Sequence, residues 1–332
     1  MNPAMKPAMN EVGCVVIGRN EERRLVQCLQ SVLACCARVV YVDSGSTDDS
    51  VPIAQALGVP VHELDPSRPF SAARARNEGL ACMLRDHGDH MAFVQFVDGD
   101  CRLEPGWLEA GARALRADPG LGVVAGIARE ETPSASVFNR LCDIELDAPA
   151  DAAGECGGVA MMRAVAVRSV GGYDLMLPAG EEPDLCLRLR HAGWRIHRLR
   201  APMMRHHLAM TGWRQWWARS ARAGRAYLDG WRKHRRGPEQ FRRREVARIL
   251  FWGGALPLLA LAAILALGPI GALALVAYLI PAAGAWRWAR RLGRSRRDGL
   301  LYAGACVAGK LPEFCGVVQS LWRSLRRTRK VA

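Results

Sequence analysis

The chain has 332 residues, half of them apolar, which is enough for one sizeable domain with an appendage or for two small domains. Its 11 cysteines show no CxxC pair and no framework spacing, which argues against a disulfide-rich secreted scaffold and indicates reduced thiols. The net charge of +14 is concentrated after residue 204, where 25 Lys and Arg stand against 5 Asp and Glu. Such asymmetry indicates that the C-terminal part binds an anionic membrane or nucleic acid.

The first hundred residues alternate strand patterns with helix patterns. Strands are predicted at 13–18, 38–42, 59–64 and 92–97, and helices follow from about 20, from about 48 and over 72–85. Asn20 and Asp48 are the expected N-caps of the first two helices. Short loops between alternating elements favour an open, mostly parallel sheet, in which ligands bind beyond the carboxyl ends of the strands. Asp43 and Asp98 lie at two of these ends.

The second hundred residues continue the pattern less regularly. Helices are predicted at 107–115 and 181–191, and strands at 122–125, 157–162 and 194–199. Residues 138–151 mix polar and apolar side chains without a clear period, so no element is assigned to them.

The composition changes after residue 210. Residues 213–227 are rich in Trp and Arg, which predicts an amphipathic helix at a bilayer surface. Residues 249–286 contain no charged side chain, and this length suits two membrane spans of about 20 residues each. The turn between the spans is expected at Gly268-Pro269. The apolar segment 300–325 carries Lys310 and Glu313 and fits a third span or an interfacial helix, of which the interfacial helix is favoured.

The charges that flank residues 249–286 predict an orientation. Arginine clusters stand on both sides, and the turn between the spans carries no charge. By the positive-inside rule both flanks lie on the cytoplasmic side. Residues 1–10 lack an apolar core of signal-peptide length. We therefore expect a cytoplasmic-membrane protein whose first domain faces the cytosol.

Two carboxylates, Asp98 and Asp100, follow an apolar strand with only Gly99 between them. Hard cations take oxygen ligands, and Mg²⁺ or Mn²⁺ is commonly held by one or two carboxylates together with substrate phosphates. The triplet is therefore a candidate metal site. Asp43 is a second candidate ligand, although Asp43-Ser44-Gly45-Ser46 is also favourable turn chemistry.

Three further carboxylates, Glu181, Glu182 and Asp184, open the helix at 181–191. They complement the helix dipole, or they form a general-base site. The local pattern leaves both interpretations open.

The order of these motifs resembles glycosyltransferase family 2, the inverting transferases of the GT-A fold. The resemblance covers about residues 12–210. It rests on the motifs VVIGRNEE (15–22), VDSGSTDDS (42–50), ARARNEG (73–79), VDGD (97–100), GGVAMMRAVAVRSVGGYD (157–174) and GEEPDLCLRLRHAGWRI (180–196). It implies an α/β fold with a Rossmann-like, mostly parallel sheet, followed here by a C-terminal helical membrane region.

The resemblance also implies roles for individual residues. The donor-binding residues would be Ile17, Asp43 at the base, Arg76, Asn77, and Asp98 at the ribose. Asp100 would coordinate Mg²⁺ or Mn²⁺ on the diphosphate. One of His206 and His207 would close over the metal, and His206 is the predicted ligand of the two. Gly157, Gly158, Glu181 and Asp184 would line the acceptor side, and Glu182 would be the catalytic base.

Two departures from the family pattern affect these expectations. Glu182 stands where the family usually has Asp, which lengthens the side chain by one methylene. The Gln-x-x-Arg-Trp motif of processive synthases is not intact, since the nearest stretch is Gln215-Trp216-Trp217-Ala218-Arg219. Transfer of a single sugar is therefore expected.

These observations predict a metal-dependent, hexosyltransferase-type enzyme that moves a sugar from a nucleotide donor, a UDP-sugar by family default. The expected acceptor is membrane-associated, lipid-linked or saccharide, in envelope or exopolysaccharide assembly. The predicted domains are a catalytic domain (11–210), basic aromatic interface helices (211–247), a two-span hairpin (248–287) and a basic tail (288–332). The alternatives are an inactive GT-A membrane scaffold and a basic nucleic-acid-binding protein. The apolar block between the arginine clusters argues against nucleic acid as a partner.

Overall fold

The computed structural model of the chain describes residues 10–331 except Ala148, Ala150 and Ala209. The side chains of Asp89, Ala152 and residues 325–331 are not described. The chain forms two compact units. The sheet unit contains residues 10–132 and 146–208, and the helical unit contains 133–145 and 210–331. Residues 133–145, which the sequence boundaries placed in the catalytic domain, thus pack with the C-terminal helices.

The sheet unit is built on a nine-stranded sheet. The strands are β1 (Val12–Gly18), β2 (Val39–Asp43), β3 (Val61–Glu63), β4 (Phe93–Asp98), β5 (Cys101–Leu103), β6 (Leu121–Glu130), β7 (Asp151–Ala152), β8 (Ala160–Arg163) and β9 (Arg195–His206). Their order is β3-β2-β1-β4-β8-β6-β9-β5, and β7 pairs with β9.

The sheet is parallel from β3 to β4, where strands alternate with crossover helices. Beyond β4 it is mixed, because β8 is antiparallel to both of its neighbours. The sequence indicated the parallel half correctly, whereas the antiparallel pairs were not foreseen.

Both units contain α-helices. They are α1 (Arg23–Leu33), α2 (Ser50–Ala56), α3 (Ala72–His87), α4 (Trp107–Ala117), α5 (Val137–Leu146), α6 (Ala164–Ser169), α7 (Glu181–His191), α8 (Trp213–His234), α9 (Arg243–Leu250), α10 (Leu256–Leu267), α11 (Leu279–Arg291), α12 (Arg296–Ala308) and α13 (Lys310–Val331).

Two local expectations differ from the structure near the first loops. Asn20 does not cap α1. It has a positive φ of 58°, and its side-chain oxygen accepts a hydrogen bond from the Thr47 amide at 2.8 Å. It therefore ties the loop after β1 to the loop after β2. Asp48 accepts from the Ser50 amide at 3.0 Å, but Asp49 occupies the N-cap position of α2.

Parallel pairing brings the carboxyl ends of β1, β2 and β4 to one edge of the sheet. Gly18 lies opposite Asp43, and Ile17 lies opposite Asp98. Both β1 and β4 are buried almost along their whole length, as central strands covered on both faces should be. The sheet thus holds this edge rigidly.

Within the helical unit, α8 and α13 cross closely because small residues line the contact. A Cβ atom on Gly224 would lie 2.0 Å from the Glu313 carbonyl oxygen, and one on Gly316 would lie 1.9 Å from that of Ala221. Trp216 is buried, and Trp213 stacks on it with the ring centroids 4.5 Å apart. The aromatic segment therefore packs against another helix with one face and exposes the other.

Ion pairs attach α5 to the C-terminal helices. The Arg140 guanidinium donates to both carboxylate oxygens of Asp298, at 2.7 and 3.0 Å, and Arg294 pairs with Asp143. Of residues 138–151, to which the sequence assigned no element, residues 138–146 are thus helical.

The uncharged block forms a hairpin within the helical unit. The chain reverses at Gly268, whose φ is +66°, and a Cβ on Gly271 would lie 2.2 Å from the Ala263 carbonyl carbon. The Tyr278 hydroxyl donates to the Trp252 carbonyl across the hairpin at 2.5 Å. A 3₁₀ segment, Gly268–Tyr278, forms the start of the returning arm.

Two helical stretches, Arg243–Arg291 and Arg296–Ser324, have the length and composition of membrane-crossing segments. Core helices of soluble proteins also meet these criteria, but such helices are mostly buried. In the most apolar 18 residues of each stretch, only 11% and 28% respectively are buried. The second stretch covers residues 300–324 of the segment that the sequence favoured as interfacial.

Candidate functional site

The buried guanidinium of Arg76 connects two carboxylates from distant parts of the chain. It donates to Asp98 at 2.8 Å and to Glu181 at 2.9 Å, and it lies over the Tyr173 ring at 5.4 Å. Burial by itself lowers the pKa of Arg76, but the charges of Asp98, Tyr173 and Glu181 raise it by more than burial lowers it. The net pKa of Arg76 therefore lies above its usual value. Arg76 therefore stays charged and joins the end of β4 to the start of α7.

Gly158 permits this arrangement. A Cβ atom at this position would lie 2.7 Å from both the Arg76 Nη2 and the Asp98 Oδ2 atoms. The loop before β8 therefore approaches the ion pair as closely as the backbone allows. Its neighbour Gly157 has a φ of +86° and faces open space. Gly158, which the sequence placed on the acceptor side, thus lies against Arg76 and Asp98, which it predicted to bind the donor.

A second group forms around Asp100. The Nε2 atom of His206 lies 3.3 Å from Asp100 Oδ2, and its Nδ1 atom lies 3.2 Å from Glu130 Oε2. Glu130 is buried and also accepts from the Leu208 amide. Burial raises the pKa of Asp100, but the hydrogen bond and charge of His206 lower it more, so the net pKa lies below its usual value. Asp100 is therefore ionised across the neutral pH range.

The ligand atoms around Asp100 and the orientation of the His206 ring suit a divalent cation. A carboxylate that holds the second ring nitrogen of a metal-binding histidine is a recurrent feature of metal sites. Glu130 stands in that relation to His206. Asp100, Cys101 and His206 offer ligand atoms that lie within 4.8 Å of one another. The side chain of His207 instead lies near Glu131, 3.7 Å away.

Glu21 adds a further carboxylate that the sequence did not identify as part of the site. Burial, and then the nearby charge of Asp100, raise the pKa of Glu21 to about 7, although Arg24 offsets part of the effect. Burial also raises the pKa of Asp98, which Arg76 counteracts. A bound cation would reduce the electrostatic repulsion between partly buried carboxylates that lie this close together.

Asp43 is held by its own loop. Its carboxylate accepts hydrogen bonds from the Tyr41 hydroxyl at 2.9 Å, the Gly45 and Ser46 amides at 2.8 and 2.7 Å, and the Ser46 hydroxyl at 2.5 Å. The side chain is almost fully buried. Asp43 thus shapes the turn that ends β2, and a contact with a nucleotide base stays a prediction.

Asn77 and Asp184 also have structural partners. The Asn77 amide donates to the Tyr173 carbonyl and accepts from the Tyr173 amide, both at 2.8 Å. Asp184 has no exposure and pairs with Arg188 at 2.8 Å, and Arg188 in turn donates to the carbonyls of residues 170 and 172. Asp184 is fully buried, whereas Asn77 is partly exposed, and contacts of Asn77 with the donor and of Asp184 with an acceptor stay predictions.

Glu182 lies beneath the loop that carries Gly157. Its Oε1 atom accepts from the Cys156 amide at 2.7 Å and from the thiols of Cys156 and Cys186 at 3.1 and 3.0 Å. The residue is 8% exposed. Glu181, in contrast, has its charge balanced by Arg76. The two adjacent glutamates therefore differ, because within the described part of the chain Glu181 has a cationic partner and Glu182 has none.

Residues 14–143 match the family model described as glycosyl transferase family 2. A pre-mycofactocin glycosyltransferase of Mycobacterium tuberculosis is 31% identical over 238 residues, which cover 66% of this chain and 47% of that protein. The chain thus spans about half the length of the curated relatives that it matches.

Two solved structures show the same fold. A mannosyltransferase of Pyrobaculum calidifontis, solved with GDP-mannose and Mn²⁺, superposes with a TM-score of 0.61 at 18% identity, covering 94% of this chain and 87% of that one. A glucosyl-3-phosphoglycerate synthase of Mycobacterium tuberculosis, solved with Mn²⁺, UDP-glucose and phosphoglyceric acid, has a TM-score of 0.50 at 18% identity, covering 67% and 78%. The fold is therefore the GT-A fold, with a mixed sheet and C-terminal helices.

Replacing Glu21 by glutamine should stabilise the metal-free protein at alkaline pH. Because the folded-state pKa of about 7 exceeds the ordinary glutamate value of 4.5, the folded protein holds this proton more tightly than the unfolded chain. Ionisation of Glu21 therefore lowers the free energy of unfolding as the pH rises from 4.5 through 7. Glutamine does not ionise, so the variant should be more stable than the wild type above pH 7 by about 1–3 kcal/mol.

The measurement is chemical unfolding in EDTA at several pH values. The advantage of Glu21→Gln should be largest above the folded-state pKa and should fade as the solution is acidified. Glu63→Gln, which changes an exposed glutamate on β3, is the matched control and should show no such trend. A Glu21→Gln variant that loses stability as the pH rises relative to the wild type would contradict this interpretation.

Proposed function

We propose that the chain transfers a sugar from a nucleoside diphosphate donor to an acceptor hydroxyl group with inversion, because residues 14–143 match the family model described as glycosyl transferase family 2. The observation that carries the proposal is the edge of the sheet at which two groups meet. One is Asp98 with Arg76 and Glu181, and the other is Asp100 with His206. A UDP-sugar is the proposed donor.

Asp100 and His206 would hold the Mg²⁺ or Mn²⁺ ion, which supplies positive charge beside the diphosphate leaving group. Glu130 orients the imidazole ring through Nδ1, so that Nε2 faces Asp100. Arg76 holds Asp98 in place at the end of β4, next to Ile17. These residues would bind the donor and fix the position of its diphosphate.

Glu182 is the proposed base. In the transfer, the acceptor hydroxyl oxygen attacks the anomeric carbon and its proton passes to the Glu182 carboxylate. The bond from the anomeric carbon to the diphosphate breaks on the opposite face, and the nucleoside diphosphate leaves with the electron pair. Glu181 is less suited to take the proton, because Arg76 neutralises its charge. Among the described residues, every hydrogen bond to the Glu182 carboxylate reaches Oε1, which leaves Oε2 for the proton.

The acceptor is proposed to be membrane-associated, with the catalytic unit on the cytosolic side of the cytoplasmic membrane. The support is the helical unit, with its two long apolar stretches and its uncharged hairpin between arginine-rich flanks. A role in envelope or exopolysaccharide assembly would follow from that address.

The test is transfer from a panel of UDP-, GDP- and dTDP-sugars by salt-washed membranes that contain the full-length chain. We expect metal-dependent turnover that stays with the membranes until detergent is added. Asp100→Asn should lose metal-dependent donor binding. Glu182→Gln should bind donor normally but transfer about 10²–10⁴-fold more slowly, as expected for loss of a general base.

Asp86→Asn, at an exposed carboxylate on α3, is the matched control and should behave as the wild type. Undiminished transfer by Glu182→Gln would remove Glu182 from the base role. Absence of donor binding and turnover across the panel would refute the proposed activity, and release by salt alone would refute the membrane anchor.

Gly158→Ala should weaken donor binding. The added methyl group would lie 2.7 Å from Arg76 and Asp98 and would push the ion pair apart. The dissociation constant of the metal–donor complex, measured by calorimetry, should rise about tenfold or more, since one displaced charge pair costs over 1 kcal/mol. Gly154→Ala lies in the same loop, and the nearest atom to its added Cβ is 3.9 Å away. Equal affinity for the two variants would contradict the assigned role of Gly158.

A further inference from the structure

Two cysteine thiols and the proposed base form a buried cluster that transfer chemistry does not require. The Sγ atoms of Cys156 and Cys186 are 3.5 Å apart, and each lies within 3.1 Å of the same Glu182 oxygen. Cys156 comes from the loop before β8, and Cys186 lies one helical turn after Glu182 in α7. The exposures of the three residues are 2%, 0% and 8%. All three point their ligand atoms into one small volume.

The spacing suits a tetrahedral metal ion. Zinc–sulfur bonds of about 2.3 Å and zinc–oxygen bonds of about 2.0 Å place two sulfurs about 3.8 Å apart and a sulfur and an oxygen about 3.5 Å apart. The observed separations of 3.5, 3.1 and 3.0 Å are shorter by only a few tenths of an ångström. The cluster would therefore have to expand only slightly around an ion.

We propose that Cys156, Cys186 and Glu182 form a second metal site, which binds a thiophilic divalent cation such as Zn²⁺ and thereby blocks the base. Binding breaks the two S–H bonds, forms two metal–sulfur bonds and one metal–oxygen bond, and releases two protons to solvent. Three protein ligands leave one coordination position open, as in zinc sites that admit a further small ligand.

Ligand chemistry separates this site from the one at Asp100. Sulfur ligands select Zn²⁺ and similar soft cations, whereas carboxylates and phosphates suit Mg²⁺ and Mn²⁺. Gly157, which directly follows Cys156, is exposed, so the cluster lies one residue along the chain from the surface. Once the Glu182 carboxylate is a metal ligand it can no longer take a proton. Zn²⁺ should therefore inhibit transfer while Mn²⁺ supports it, an effect that rests on the proposed function.

Co²⁺ serves as the spectroscopic probe for the site in the reduced, full-length protein. With the Asp100 site saturated by Mn²⁺, wild-type protein should bind one further equivalent of Co²⁺ that shows thiolate-to-cobalt charge-transfer absorption and the visible bands of tetrahedral Co²⁺, and Zn²⁺ should displace it. Cys156→Ser and Cys186→Ser should each lose this absorption. Cys36→Ser is the matched control, because Cys36 is also a buried thiol beside another one, Cys14, and it should keep the signal.

The inhibition arm uses transfer at saturating Mn²⁺ with increasing Zn²⁺. Cys186→Ser should need at least about tenfold more Zn²⁺ for the same inhibition, since even outer partners of metal ligands are worth about 10–100-fold in affinity. Calorimetry of the Mn²⁺–donor complex shows whether each variant is folded and retains the donor site.

No thiolate absorption in the wild type, or absorption that survives both substitutions, would overturn the second site. This readout does not depend on turnover, so it decides the question even if no sugar of the panel is transferred. Zn²⁺ inhibition that is equal in the wild type and Cys186→Ser would show that Zn²⁺ acts elsewhere, for instance at Asp100, and would refute the blocking of the base.

Discussion

The site depends on one buried cation, the guanidinium of Arg76. Arg76 projects from α3 and is held between Asp98 at the end of β4 and Glu181 at the start of α7, which are far apart in the sequence. A buried charge without partners is costly, so the three side chains stabilise one another only when all are in place. Gly158 leaves the room that this contact needs. The pair thereby positions the donor-binding edge of the sheet against the helix that carries the proposed base.

Around that cation, neighbouring carboxylates have different partners and therefore different properties. Glu181 is neutralised by Arg76, Asp184 by Arg188, and Asp100 faces an imidazole that Glu130 orients. Glu182 has no cationic partner among the described residues and is held by an amide and two thiols. This difference supports the separate roles proposed for these residues, with metal binding at Asp100 and proton transfer at Glu182. The thiols of Cys156 and Cys186 both lie directly at the proposed base.

Much of the fold could be predicted from the sequence, because buried parallel strands and amphipathic helices have strong periodic patterns. The carboxyl-end positions of Asp43 and Asp98 followed from that pattern. The antiparallel pairs of β8 and the transfer of α5 to the helical unit were not foreseen, because they depend on long-range contacts such as Arg140 with Asp298. Glu21, Glu130 and the two thiols beside Glu182 were missed for the same reason. The structural roles of Asn77 and Asp184 appear only through their backbone and arginine partners.

A double-mutant cycle on the free energy of unfolding tests most directly whether Arg76 joins the two sides of the site. The variants are Arg76→Met, Glu181→Gln and the combination of both. Arg76→Met should cost about 3 kcal/mol or more, because it leaves two carboxylates without their cation. Glu181→Gln should then be less harmful, or favourable, in the Arg76→Met background. Strictly additive effects would show that the Arg76–Glu181 contact does not couple β4 to α7, and would contradict this account of the site.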